Sequence, residues 1–217
     1  LGTPRMEARY ADRVRYPTLW WAREHLSARH LELLGDLKRG FRTHLPGQPD
    51  IRLFHGLPGN FFVGFRPDTP DPVATRWLET VREPVVGCGH THAPMWRKIG
   101  RWWVANAGSV GAPYDADRRA AFVILDAERG SWHATIERIA YDIDAVAEGF
   151  RETGMLAACG PICEMFLRSA QDGLPWVADF EWWLREHSEE YAGDIGRAVA
   201  TYESGHGPGR WAFPYLG

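Results

Sequence analysis

The sequence has few cysteines, no long apolar run and little net charge. Its 217 residues include three cysteines, Cys88, Cys159 and Cys163. An odd and small number argues against a disulfide framework and favours a reducing compartment. No stretch approaches the roughly 18 consecutive apolar residues of a membrane-spanning helix, and the first residues are charged rather than signal-like. We therefore expect a soluble, cytoplasmic protein without a membrane partner.

The charge balance limits the classes of partner. A formal net charge of −3 provides no general attraction to polyanions, so duplex nucleic acid is not an expected partner. Any recognition of phosphate must therefore be local. Length and composition, with 45% hydrophobic and 24% charged residues, are those of a globular chain that can bury a core.

Apolar periodicity predicts an α/β region followed by helices. Ser27 is a candidate N-cap that divides residues 18–36 into two short helices. Further helices are predicted over residues 73–82, 143–153, 162–172, 176–187 and 194–204. Strands are predicted over residues 51–54 and 84–88, in a hairpin over 95–98 and 102–105, and in an antiparallel pair over 120–126 and 131–139.

Three histidines follow predicted strands. His55 comes directly after the strand over residues 51–54, and His90 and His92 follow the next strand in the sequence Gly89-His90-Thr91-His92. Strand ends in an open α/β sheet are where ligands bind, and imidazole is the commonest neutral ligand of transition metals. We expect Gly89 to adopt a backbone conformation that larger residues resist. The alternative is that these histidines only form hydrogen bonds within a loop.

Three sequence blocks resemble the calcineurin-like metallophosphoesterases, and within them the small bacterial YfcE-type phosphodiesterases. The blocks are His55-Gly56-x-Pro58, then Gly89-His90-Thr91-His92-Ala93-Pro94, then Asn106-Ala107-Gly108-Ser109-Val110-Gly111-x-Pro113. They occur in the family's order and at similar spacing, and the resemblance covers residues 18–150. It implies an α/β fold in which a two-sheet β-sandwich is flanked by helices, with this chain forming the C-terminal half.

The resemblance also implies a metal-dependent hydrolase. His55 and His90 resemble the histidines that hold one metal ion, and His92 resembles the histidine on the other. Two divalent transition metal ions, of Mn, Fe, Zn or Ni, would activate a bridging water against a phosphodiester or phosphomonoester. Asn106 and Ser109 resemble the loop beside this site, where they either bind the substrate or brace the loop.

The sequence departs from the family pattern at two places. The Asp-x-His, Gly-Asp and Gly-Asn-His blocks of the family's N-terminal half do not occur in usable form, and the chain begins with Leu1. We expect that half to lie upstream; the alternative is a truncated, inactive scaffold that acts in binding or regulation.

Tyr114 occupies a position where this branch often has arginine. Arg118 and Arg119 are nearby and could take the place of that arginine; the alternative is that they are solvated surface charges.

The resemblance divides the chain at residue 155. Residues 1–155 are predicted to be the C-terminal part of the phosphoesterase domain, and residues 156–217 a helical extension rich in tryptophan. Its tryptophans include Trp176, Trp182, Trp183 and Trp211. Trp182 and Trp183 cannot share one face of a helix, so one could pack inside while the other contacts a partner. A homo-oligomer through these helices is one possibility, and simple core packing is the other.

Overall fold

A computed structural model describes residues 10–38, 40–191 and 193–208. The chain divides into two compact units. The sheet unit comprises residues 38–141, and the helical unit comprises residues 10–37 and 142–208. The helices are α1 Pro17–His25, α2 Ala28–Gly35, α3 Asp71–Leu78, α4 Ile143–Glu152, α5 Met155–Asp172, α6 Trp176–Glu186 and α7 Ile195–Gly205. The strands are β1 Gly40–Thr43, β2 Ile51–Phe54, β3 Val85–Cys88, β4 Met95–Ile99, β5 Trp102–Asn106, β6 Ala120–Glu128 and β7 Ser131–Ile139.

A five-stranded sheet with the order β1-β2-β3-β5-β4 forms the centre of the sheet unit. β2, β3 and β5 run parallel, whereas β1 and β4 pair antiparallel at the two sides. The parallel strands read as apolar runs because they are buried: Val86 and Val104 are fully buried and pack with Phe65 and Leu78. The carboxyl ends of three adjacent parallel strands consequently meet at one edge.

A separate antiparallel hairpin of β6 and β7 forms the second sheet. Its turn lies at Arg129 and Gly130, which both have left-handed φ angles, of 47° and 81°. Glycine adopts this conformation without steric cost. The predicted antiparallel pair of strands is confirmed. The presence of two sheets together with seven helices in the described residues agrees with the predicted α/β two-sheet fold.

The helical unit forms around buried aromatic rings. Phe180 and Tyr202 are fully buried, and Trp183 is 8% exposed between them. The Tyr202 hydroxyl donates a hydrogen bond of 2.7 Å to Asp179 Oδ2, which satisfies a carboxylate that would be costly to bury alone. Ser27 caps α2 by accepting from the His30 backbone N–H, as predicted.

Several helix and strand bounds differ from the sequence prediction. β1 was not predicted as a separate strand, because three of its four residues are exposed and show no apolar alternation. α3 begins and ends earlier than predicted, since proline at its first turn favours helix initiation there. α5 begins at Met155 rather than at residue 162. It bends at Gly160, whose φ and ψ of 57° and −143° precede Pro161.

The tryptophans of the helical unit pack mainly inside it. Trp183 belongs to the core, Trp176 packs against that core, and Trp182 is half-buried. The two adjacent tryptophans therefore differ in burial, as expected for neighbours on a helix, and Trp211 lies outside the described residues.

The predicted domain boundary at residue 155 stays a prediction; the compact units divide at Asp142. No helix within the described ranges combines the length and apolar character needed to cross a membrane.

Candidate metal centre

Two neighbouring parallel strands bring the three candidate ligands to one edge of the sheet. His55 follows β2 by one residue, while His90 and His92 follow β3. The two loops are joined directly, because the Gly89 backbone N–H donates to the His55 carbonyl at 2.8 Å. The sheet register continues into the loops in this way, and the histidines from separate strands become neighbours.

His55 and His90 point their ring nitrogens at each other. His90 Nδ1 lies 3.3 Å from His55 Nε2, and the ring planes are 72° apart. Two imidazole nitrogens that bind the same tetrahedral zinc at about 2.0–2.1 Å are separated by roughly 3.4 Å. The observed separation therefore fits two ligands of one metal ion.

Backbone carbonyls orient two of the imidazoles. His92 Nδ1 lies 2.6 Å from the Ala112 carbonyl oxygen, and His90 is hydrogen-bonded to the Phe62 backbone. Since a carbonyl oxygen only accepts, His92 Nδ1 carries the proton and Nε2 keeps its lone pair. Metal-binding histidines almost always donate their second N–H to such an acceptor. His90 and His92 therefore have surroundings that suit metal ligands.

Partial burial favours the neutral form of these imidazoles, although His55 as a whole residue is exposed. It lowers the pKa of His90 to about 4, with a smaller contribution from the neighbouring His55. Burial also lowers the pKa of His55, and that of His92, where the hydrogen bond to Ala112 opposes the shift. Only a neutral imidazole can bind a metal ion. All three side chains are thus available as ligands at neutral pH.

The strained backbone of the histidine loop lies at the histidines themselves. His90 and His92 have φ angles of 68° and 54°, whereas Gly89 does not adopt a left-handed φ. The expectation that Gly89 provides the unusual conformation is wrong. Histidine is among the residues that enter this region more readily than most. Such a conformation costs about 1–2 kcal/mol per residue and persists when the surroundings hold it.

Asn106 provides part of that support. It is fully buried at the end of β5. Its Nδ2 lies 2.9 Å from the Gly89 carbonyl, 3.2 Å from the Phe65 carbonyl and 2.8 Å from Thr91 Oγ1. Its Oδ1 accepts from the Gly108 N–H. These contacts brace the histidine loop, and bracing was the alternative to substrate binding for Asn106.

Ser109 also bonds to its own loop. Its Oγ accepts from the backbone N–H of Gly111 and Ala112, at 3.3 and 2.9 Å. The loop therefore presents the Ala112 carbonyl, which accepts from His92, in a fixed position. The predicted contact of Asn106 and Ser109 with a substrate stays a prediction.

Tyr114 is a neighbour of the site that was not expected from the sequence. Its ring stacks on the His92 imidazole with centroids 4.6 Å apart and planes 28° apart. Burial raises the pKa of its phenol to about 12. In the sequence, Tyr114 could have been linked to the site only by its place directly after Pro113, where the family branch often has arginine.

The two candidate arginines lie at the surface. Arg119 forms a bidentate contact with Asp117, and both Arg118 and Arg119 are exposed. The contact of Arg119 with Asp117 matches the surface-charge alternative.

The histidines do not form a complete metal centre by themselves. In residues 10–38, 40–191 and 193–208, no group of three or more histidine, cysteine, aspartate or glutamate side chains is arranged to hold an ion. The His55–His90 pair therefore provides a partial ligand set, with His92 beside it. A divalent ion at this pair would need further ligands from water or from another segment of polypeptide.

Comparison with known proteins supports one superfamily. Residues 26–130 match the family described as calcineurin-like phosphoesterase superfamily domain. The match includes all three histidines and supports this superfamily. No curated protein matches the chain.

Two solved structures resemble the fold. A metallophosphoesterase from Sphaerobacter thermophilus is 21% identical and has a TM-score of 0.58, with 71% of this chain and 67% of that chain covered. The hypothetical protein PH1004 from Pyrococcus horikoshii OT3 is 23% identical with a TM-score of 0.54, covering 60% of this chain and 51% of that one. The chain therefore spans about half to two thirds of the length of these structures.

Proposed function

We propose that this chain forms part of a metal-dependent phosphoester hydrolase, in which His55 and His90 hold one divalent ion and His92 holds a second. The observation that carries the proposal is the 3.3 Å approach of His90 Nδ1 to His55 Nε2 at the edge of the sheet. The superfamily match over residues 26–130 supports the reaction class.

The chain's own residues would present and orient the ligands. His90 and His92 are held by backbone carbonyls, so their free nitrogens have fixed directions before an ion binds. When bound, two divalent ions would neutralise phosphate oxygens and activate a water molecule for attack at phosphorus. A side-chain nucleophile is not required.

The substrate class is a small phosphomonoester or phosphodiester. The formal net charge of −3 supports a small ligand over duplex nucleic acid, since it provides no extended attraction for a polyanion. Manganese, iron, zinc and nickel all accept imidazole ligands. We propose one of these metals, with further ligands supplied by a segment outside the three sequence blocks.

Hydrolysis of generic aryl phosphates tests the proposal. The intact protein with added Mn²⁺ should hydrolyse an aryl phosphodiester or an aryl phosphomonoester, and His92→Asn should abolish this activity. Asparagine suits this exchange because it tolerates the left-handed φ of His92. The proposal would be contradicted if the intact, metal-loaded protein hydrolysed neither substrate and His92→Asn bound metal as the wild type does.

A non-catalytic scaffold is the second candidate. Its supporting observation is that the described residues hold no metal-binding group of three or more ligands. Metal analysis of the intact protein separates the two: an enzyme should bind close to two ions per chain, and a scaffold fewer. A scaffold should also keep its partner binding after His92→Asn.

Location and assembly are separate proposals that concern other residues of the chain. Cys88, Cys159 and Cys163 are unpaired and buried, which supports our proposal of a reducing, cytoplasmic compartment. Self-association through the tryptophan-rich helices stays a prediction. Light scattering over a concentration series would test it: a mass above that of the monomer would support self-association, and a constant monomer mass would contradict it.

A further inference from the structure

The contact between Tyr114 and His92 has two parts. The Tyr114 ring stacks on one face of the imidazole, with centroids 4.6 Å apart and planes 28° apart. The Tyr114 backbone N–H also donates to the His92 carbonyl at 3.2 Å. Both the ring and the backbone of His92 are therefore in contact with the same residue.

The stack restrains a motion that the hydrogen bonds leave free. The outer torsion of a histidine side chain is broad and roughly two-fold, so the imidazole can pivot or flip. The bond from Nδ1 to the Ala112 carbonyl fixes one direction in the ring plane. The stacked tyrosine fixes the orientation of that plane, and together they determine where Nε2 points.

The segment that carries Tyr114 is anchored to the second sheet. The next residue, Asp115, pairs with Arg138 on β7, and both side chains are mostly buried. Arg138 also donates to the Asp117 carbonyl at 3.2 Å. Two contacts from β7 therefore hold this segment. The Tyr114 ring is carried by an anchored segment and not by an unsupported loop.

We propose that Tyr114 is a positioning residue for His92, and that its aromatic face, not its hydroxyl, holds the imidazole with Nε2 presented to a metal ion. The inference rests on the proposed function in taking His92 as a ligand. It adds a residue outside the three sequence blocks to the machinery of the site. Contacts that orient metal ligands in this way typically change metal affinity by 10- to 100-fold.

Metal affinity separates the ring from the hydroxyl. In Co²⁺ titrations of the intact protein, Tyr114→Ala should weaken binding about tenfold, whereas Tyr114→Phe should stay within about twofold because it keeps the stacked ring. Tyr114→Leu fills much of the same space without an aromatic plane and should resemble Tyr114→Ala. Equal affinity in all four proteins would overturn the proposal, as would a loss in Tyr114→Phe as large as that in Tyr114→Ala.

The tautomer of His92 provides a readout without metal. Nitrogen-15 NMR of the metal-free protein should show the Nδ1–H tautomer of His92 in the wild type and in Tyr114→Phe. Tyr114→Leu should show a mixture of tautomers or ring states. His187 is a matched internal reference, because its ring stacks on Trp183 and its Nδ1 lies 2.8 Å from the Trp183 carbonyl, and its signal should not change.

The two measurements distinguish failure of this inference from failure of the proposed function. If the wild type binds no Co²⁺, the proposed function fails, and the tautomer measurement still tests whether Tyr114 holds His92. If the wild type binds Co²⁺ and Tyr114→Leu keeps both the affinity and the single tautomer, the proposed role of Tyr114 is wrong.

Discussion

Both units stack a histidine on an aromatic ring, yet the two arrangements serve different ends. In the helical unit His187 stacks on Trp183 one helical turn away and bonds to that residue's own carbonyl. In the sheet unit His92 stacks on Tyr114 and bonds to Ala112, both from a distant loop, next to two further histidines. In the first arrangement a partly buried histidine stacks on a core tryptophan, whereas the second presents nitrogen lone pairs.

Backbone strain follows the same division. The sheet unit places two histidines with left-handed φ angles side by side in one loop, and surrounding hydrogen bonds hold them there. Within the described part of the helical unit, the left-handed residues are glycines. Burial of aromatic rings therefore stabilises the helical unit, whereas the strained backbone at the histidines lowers the stability of the sheet unit.

The largest expected effect is on the stability of the helical unit. Phe180 is fully buried in the aromatic core, so Phe180→Ala should lower the free energy of unfolding by about 3–5 kcal/mol. Urea unfolding measures this. Val110→Ala is the control, because Val110 is 73% exposed and should change stability by less than about 0.5 kcal/mol. Loss of metal binding in folded Phe180→Ala would contradict the expectation that metal binding in the sheet unit is independent of the helical core.

The second effect is on metal binding in the sheet unit. His92→Asn should weaken Co²⁺ or Zn²⁺ binding by roughly 100-fold, or about 2.7 kcal/mol, because a ligand is removed while the left-handed backbone is tolerated. Calorimetric titration measures it. His187→Asn is the matched control in the helical unit and should leave metal affinity unchanged. An equal loss of metal affinity in His187→Asn would show that the effect does not depend on a place in the histidine loop.

A third effect is the acid sensitivity of the metal-free protein. The pKa of His90 is lowered by burial to about 4, against about 6.5 in an unfolded chain. Between these values the unfolded state binds more protons, so stability is full above pH 6.5 and falls as the pH drops towards 4. The loss should be at most about 3 kcal/mol. Urea midpoints against pH should flatten in His90→Asn; an unchanged slope would contradict the assignment.

The smallest effect concerns a buried hydrogen bond of the helical unit. Tyr202→Phe removes the hydroxyl that donates to Asp179 and keeps the ring. The free energy of unfolding should fall by about 1–3 kcal/mol, the cost of leaving a buried polar group with fewer partners. Metal affinity should not change, because Tyr202 belongs to the helical unit and the candidate ligands belong to the sheet unit. An altered metal affinity in folded Tyr202→Phe would show that the units are energetically coupled.

The sequence predicted the elements better than it predicted the support of the site. Strands with apolar runs, such as the one before His90, and caps such as Ser27 have local signals, and the structure agrees with them. Exposed β1 has no such signal. The bracing by Asn106, the stack of Tyr114 and the left-handed φ angles of His90 and His92 depend on contacts between distant loops. No local pattern in the sequence contains that information.

Anomalous scattering from crystals of the intact protein grown with Zn²⁺ or Mn²⁺ would show whether the three histidines bind metal. We expect a peak at ligand distance from His55 Nε2 and His90 Nδ1, and a second peak beside His92 Nε2. Occupied metal sites elsewhere on the protein, with these three nitrogens unbound, would contradict it.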